Sequence, residues 1–252
     1  MNPVLPGWQV PGVGALMSTR EGGVSAGPYA SLNLGRGVGD APEAVAENRR
    51  RFAAALGGRP VWLRQVHGTQ VLHLTNATPE HPAAPADAAW TDRRGIACVV
   101  GAADCLPVLL AADDGRAVAA AHAGWRGLAG GVLEAAVAAL GAGAGVVPAR
   151  LAAWIGPGIG PAHFEVGADV LAAFGVPAAP GSEAPHFRWH PRPDGAPRWR
   201  ADLPALAAAR LRAAGVGTVE AAAACTFSDA SRFFSFRRDG VTGRMAAAVW
   251  RV

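Results

Sequence analysis

The sequence predicts a single-domain α+β fold over its 252 residues, and three observations carry that expectation. Short strand-like runs and amphipathic helical runs are interleaved without a regular strand–helix–strand alternation, which disfavours a doubly wound parallel sheet. Apolar residues make up 51% of the chain, enough for a sizeable core and too many for a disordered one. No internal repeat divides the sequence, so residues 1–252 read as one unit.

APEAVAENRRRFAAALGG (41–58) reads as a helix, with Asp40 as its cap, Pro42 in its first turn and Gly57 as its stop. VWLRQVHGTQVLHL (61–74) gives two strand pieces around Gly68. GIACVVGAADCLPVLLAADDGRAVAAAHAG (95–124) gives strands joined by the turn signal Asp113-Asp114-Gly115. GLAGGVLEAAVAALGAGAGVVPA (127–149) is long enough to span a bilayer. Its Ala/Gly composition, Glu134 and Pro148 instead fit a helix in water followed by a Gly-rich turn, so no membrane partner is expected. Residues 175–199 are rich in Pro and Gly and read as a long surface loop, with His186 and His190 exposed and outside any catalysis. ADLPALAAARLRAAGVG (201–217) is a further helix, capped by Asp202 and stopped by Gly215. RFFSFRRDGVTGRMAAAVWRV (232–252) reads as a closing hairpin that turns at Asp239-Gly240.

All 23 basic residues are arginine, against 19 acidic ones. They are dispersed rather than clustered on one run, which argues against a nucleic-acid partner. Cys98, Cys105 and Cys225 are an odd number, a poor basis for a disulfide framework. With no signal-like block in MNPVLPGWQVPG, a reducing cytoplasmic location is expected.

Cys105, in GAADCLPVLL, is open to three readings: a small buried hydrophobe, a nucleophile, or a thiolate ligand. The turn at 113–116 helps to decide. A two-residue or a four-residue loop gives one register, in which paired numbers sum to 229. Cys105 then lies opposite Gly124, with His122 one diagonal step away on the same face. A metal ion bridges such a gap, and Gly124 leaves room for it. A third ligand is needed for a catalytic zinc centre. His67, at a strand end before Gly68, is the best candidate, although spacing alone leaves a structural role equally open; His73 sits in an alternating surface pattern.

These residues fall within blocks that resemble the YfiH family. Its members are also described as laccase-domain or multicopper polyphenol oxidase proteins, and as purine nucleoside phosphorylases. The blocks run in order: STREGGVSAGPYASLNLGRGVGD with ENR, RQVHG, ADAAWTD, ADCLPVLL, HAGWRG, WIGPGIGP with FEVG, and CTFSD…FFSFRRDGVTGRMA. Residues 175–199 and the first dozen lie outside them. Gly158 departs from the pattern, since many relatives carry Cys there. The resemblance implies a four-layer α-β-β-α sandwich, akin to bacterial toxin deamidases with a Cys-His pair. It also implies one zinc ion on His67, Cys105 and His122, which together form the catalytic centre. The substrate it implies is a purine nucleoside: adenosine, inosine, guanosine or methylthioadenosine. Phosphate cleaves it to the base and ribose 1-phosphate, and adenosine deamination is a second activity.

Within the blocks, Arg20, Arg49 and Arg126 are candidate phosphate or ribose contacts, each with a surface role as the alternative. Asp87 and Asp104 are candidates to orient a ligand histidine. Trp125 either stacks on a base or fills the core, and the Gly-Pro-Gly-Ile-Gly-Pro run either cradles an anion or is a tight turn. Cys98 and Cys225 read as packing residues. Laccase chemistry is disfavoured because seven histidines include no His-x-His pair. Copper remains possible as an adventitious occupant, by its higher raw affinity. The His-x-Glu and Pro-Cys-x-x-Cys pattern of cytidine deaminases is missing. A Cys105–His122 amidase acting on peptidoglycan precursors is the second enzymatic reading, and a non-enzymatic binding module the third. The sequence does not indicate the oligomeric state.

Overall fold

The computed structural model describes residues 1–252. In chain order the first half contains β1 (Val13–Met17), α1 (Pro42–Ala53), β2 (Arg59–Trp62), β3 (Val71–His73), β4 (Ala88–Thr91), β5 (Ile96–Ala102), β6 (Leu106–Ala112) and β7 (Val118–Ala123). Helices α2 (Trp125–Gly130) and α3 (Val132–Ala144) follow, then β8 (Leu151–Ile155), β9 (Glu165–Val166) and α4 (Ala168–Ala173). The chain closes with β10 (Phe187–Trp189), β11 (Trp199–Ala201), α5 (Leu203–Ala213), β12 (Thr218–Ala221), α6 (Phe236–Asp239) and β13 (Met245–Arg251). No helix is long and apolar enough to cross a membrane.

Two sheets dominate, in the orders β1-β13-β5-β2 and β12-β8-β6-β7-β4-β3, with a small sheet β10-β11-β9 beside them. Parallel pairs (β2 with β5, β3 with β4, β8 with β12) mix with antiparallel ones, as expected of an α+β chain. Strand alternation explains how the layers meet. On β6 and β7, Leu109, Ala111, Val118 and Ala120 join Cys98, Val100, Ala247 and Val249 of the smaller sheet in one buried cluster. The other faces of β6 and β7, with Val108, Leu110, Ala119 and Ala121, pack on Leu133, Val137 and Leu140 of α3 and Leu206 of α5. The outer face of the smaller sheet, with Val99, Ala248 and Trp250, clusters with Phe52 of α1. Alanine at so many facing positions lets these layers approach closely without voids.

The Asp-Asp-Gly turn takes its four-residue form. Ala112 pairs with Ala117, and the ladder runs Leu106↔Ala123 and Pro107↔His122, so paired numbers sum to 229 as expected. Asp202 caps α5 by accepting from the Ala205 N–H at 2.9 Å, and Gly215 ends it at φ 84°. The apolar run at 127–149 is broken into two helices at Gly131, whose φ is 99°.

Three expectations are corrected. Asp40 does not cap α1: its carboxylate is taken by Ser25 Oγ, Asn33 Nδ2 and the Ala41 N–H, and the helix ends at Ala53, short of Gly57. No hairpin turns at Asp239-Gly240. Residues 236–239 form the short helix α6, capped by Ser235, and β13 pairs instead with β1 and β5. Residues 175–199 are not all loop, since β10 pairs with β11 and places Phe187 and Trp199 in the core. Trp199 is 1% exposed and its Nε1 donates to the Ser182 carbonyl at 2.9 Å. Trp199→Ala is expected to lower the unfolding free energy by about 3–5 kcal/mol, read as a lower urea midpoint.

Candidate metal centre

His122 continues the Val118–Ala120 face of β7, so it points into the layer between the two large sheets at its open end. Cys105 immediately precedes β6, and His67 lies in the turn between β2 and β3 with a left-handed φ of 60°. The ligand atoms of these three residues all lie within 4.8 Å of one another. Cys105 Sγ is 3.9 Å from His67 Nε2, and the two imidazoles meet edge to face with centroids 4.8 Å apart. Donors on one tetrahedral zinc sit about 3.3–3.6 Å apart, so small side-chain rotations bring all three onto one ion. A thiolate with two imidazoles is a zinc-type donor set, and it leaves a fourth position open. A Cβ at Gly124 would lie 2.8 Å from His67 Cδ2 and 2.9 Å from Cys105 Sγ, so glycine keeps the space between the donors clear.

One carboxylate organises two of the three donors. Asp87 is fully buried and accepts from the N–H groups of Val66, His67 and Gly68 at 3.0, 2.9 and 2.7 Å. Its Oδ1 also stands 2.8 Å from His122 Nδ1, which fixes that ring with Nε2 free. Burial opposes the Asp87 charge, but hydrogen bonds from His122 and the backbone outweigh it and lower its pKa. Burial likewise pushes the Cys105 thiol up; the charge of His122 and hydrogen bonds from both histidines reverse this, to about 6. Burial lowers His122, whereas the Cys105 thiolate and Asp87 raise it to about 9.

Between those two values the metal-free pair would be a thiolate beside an imidazolium. Ligation needs the neutral ring, so zinc binding at pH 7.5 is expected to release about one proton from His122, measured by calorimetry in buffers of different ionisation enthalpy. Affinity then rises with pH up to about 9, where His122 loses its proton unaided. A proton count near zero at pH 7.5 would contradict the ion pair.

His67, Cys105 and His122 line a cavity of about 770 Å³ together with Arg36, Arg49, Arg64, Arg244, Gln65, His81 and Phe236, and no carboxylate lines it. Of the three arginines singled out in the sequence, only Arg49 is there. Its guanidinium stacks 3.9 Å over Trp62 and its Nε donates to the Leu34 carbonyl at 2.9 Å. Burial and the nearby Arg36 lower its pKa to about 10. Arg20 lies elsewhere, donating to the carbonyls of Ala30 and Ala230 and packing over Phe234. Arg126 is exposed and stacks 4.1 Å over Trp125, which itself packs against the core outside the cavity.

Asp104 does not orient a histidine. It accepts from Thr226 Oγ1 and the Arg237 N–H, both at 2.6 Å, and so ties the 226–237 segment to the turn before β6 that carries Cys105. The Gly-Pro-Gly-Ile-Gly-Pro run is no anion cradle. Its Gly156, Ile159 and Gly160 N–H groups donate to Pro107 O, Asp104 O and Cys225 Sγ. Cys98 is buried packing, Cys225 is half-buried beside Gly160, and all three cysteines are free. His73 stacks on Trp90 at 4.0 Å on the surface side of β3, away from the donors. Arg36, Arg64 and Arg244 were not singled out, although each lies in a matching block, whereas His81 and its flanking prolines carry no such signal.

Fold and donor group together define a protein of mixed α and β architecture with one group able to hold a metal ion. A model of the family described as multi-copper polyphenol oxidoreductase laccase matches residues 14–252, and the chain belongs to that family. It is 49% identical to a Pseudomonas aeruginosa protein named purine nucleoside phosphorylase PA4543, over 97% of this chain and 96% of that one. It is 46% identical to Escherichia coli purine nucleoside phosphorylase YfiH, over 99% and 98% of the two chains. Among solved structures, Neisseria meningitidis protein NMB0706 superposes with a TM-score of 0.88 at 44% identity, covering 100% of this chain and 99% of that one. YlmD of Geobacillus stearothermophilus gives 0.83 at 35% identity, over 96% and 92%.

Proposed function

We propose that the chain is a zinc-dependent purine nucleoside phosphorylase. It would cleave adenosine, inosine, guanosine or methylthioadenosine with phosphate to the free base and the sugar 1-phosphate. The observation that carries this reading is the His67–Cys105–His122 group opening on a cavity walled by four arginines and no carboxylate. Relatives 46–49% identical over nearly the whole chain, each named purine nucleoside phosphorylase, support the same chemistry. His67, Cys105 and His122 would hold the zinc ion, which would supply positive charge for polarising a substrate oxygen. Asp87 keeps His122 in the ligating tautomer and fixes the His67 turn. Arg49 and its neighbours neutralise the incoming phosphate. Adenosine deamination is proposed as a second activity of the same centre.

The test is release of free base from each nucleoside with and without phosphate. Phosphate-dependent release is expected, together with sugar 1-phosphate in equal amount. Release at the same rate without phosphate would replace phosphorolysis by hydrolysis. Inosine and ammonia formed from adenosine would report the deaminase.

One observation favours a second reading. Cys105, His122 and Asp87 line up as thiolate, imidazolium and orienting carboxylate, the arrangement of a cysteine hydrolase. An amidase would use the metal-free pair, because a ligated thiolate is a poor acyl nucleophile. One zinc per purified chain excludes it.

A further inference from the structure

We propose that Arg36, Arg49 and Arg244 form a subsite for a phosphate dianion, supplied as free phosphate, on the wall of the cavity that also holds His67, Cys105 and His122. The inference rests on the phosphorolysis reading and locates its second substrate. The three arginines come from distant parts of the chain but converge on one segment, Leu34-Gly35-Arg36. The Leu34 carbonyl accepts from Arg49 Nε at 2.9 Å, and the Leu34 N–H donates to the Arg244 carbonyl at 2.9 Å. Gly35 lies flat against the Arg244 side chain, where a Cβ would stand 2.6 Å from its Cγ. Arg36 follows directly and is exposed.

Little of their donor capacity is used within the protein. Arg49 uses only Nε, so neither Nη has a protein acceptor, and Nη1 is itself buried. Arg244 uses Nη1 alone, for the carbonyls of Thr242 and Gly243 at 3.0 Å each. Arg36 makes no side-chain hydrogen bond to protein and no ion pair. Glu80, the carboxylate that feels Arg49, stands 3.6 Å from His81 Nε2 and does not line the cavity. Arg36 and Arg49 feel each other's charge, Arg244 lines the same cavity, and no carboxylate there neutralises them, so a multivalent anion is favoured. A phosphate dianion, with four oxygens for planar bidentate donors, fits that need. Packing over Trp62 holds the Arg49 fork in place before the anion arrives.

The experiment is calorimetric titration of the zinc-loaded full chain with inorganic phosphate in low salt, for wild type, Arg49→Gln and Arg36→Gln, with inosine and inosine 5′-monophosphate titrated in parallel. The phosphate Kd is expected to rise about tenfold or more in Arg49→Gln and about threefold or more in Arg36→Gln, with inosine affinity changed by less than about twofold. Arg36 is exposed and unbonded, so its variant decides the matter even if Arg49→Gln folds poorly. Unchanged phosphate affinity in both variants would overturn the subsite while leaving phosphorolysis intact. Arginine-dependent binding of the nucleotide but not of free phosphate would overturn the stated occupant. Arginine-dependent phosphate binding without base release would keep the subsite and reject phosphorolysis.

Discussion

Cys105→Ala is expected to remove stoichiometric zinc and to lower phosphorolysis at least about a thousandfold, which corresponds to roughly 4 kcal/mol of transition-state stabilisation. Two imidazoles alone hold zinc far more weakly than a set completed by a thiolate. Cys105 is half-buried at the start of β6, so the fold should survive, with an unchanged circular dichroism spectrum. Metal per chain, measured by emission spectroscopy, and base release are to be read on the same preparation. A variant that keeps one ion and its activity would remove Cys105 from the centre. A variant that loses activity while the wild type proves metal-free would turn the assignment towards the cysteine hydrolase.

Asp87→Ala should be the most damaging single change to the site's frame. It strands three backbone N–H groups, those of Val66, His67 and Gly68, and leaves buried His122 without its partner. Removing one member of a buried charged network costs about 3–5 kcal/mol. A lost ligand-orienting carboxylate also weakens metal affinity about 10- to 100-fold. Asp87→Asn keeps one acceptor oxygen and should fall between the two, which separates frame from charge. Both effects are measurable, by urea unfolding of the metal-free chain and by competition with a zinc chelator. Metal affinity unchanged in Asp87→Ala would show that the His67 turn holds its shape unaided.

The parts of this architecture that were legible in the sequence are local or fixed by a turn. The Asp113-Asp114-Gly115 signal sets the β6–β7 register, and that register puts Cys105 across from Gly124 with His122 beside it. Asp202 and Gly215 bound α5 through contacts only a few residues away. The misreadings share a cause in long-range competition. Asp40 is drawn from its helix by Ser25 and Asn33. The strand after Gly240 finds a better partner in β1, more than two hundred residues earlier, than in its immediate neighbour. The 175–199 segment hides a hairpin because prolines and glycines mask two short strands anchored by Phe187 and Trp199. At the site, family blocks marked the three donors and Asp87. They did not separate Arg49, which faces the cavity, from Arg20, which ties distant loops together, or from Arg126, which is exposed beside Trp125.

The bare hydrogen at position 124 has a consequence for how this lineage can diverge. One codon step to alanine would plant a methyl group 2.8 Å from His67 Cδ2 and 2.9 Å from Cys105 Sγ, so one or both of those side chains would have to move. Such a chain would keep His67, Cys105 and His122 in its sequence while holding their donor atoms out of the arrangement a shared ion needs. A homologue with a side chain at that place is expected to bind a metal ion more weakly than this chain, however well its other blocks match.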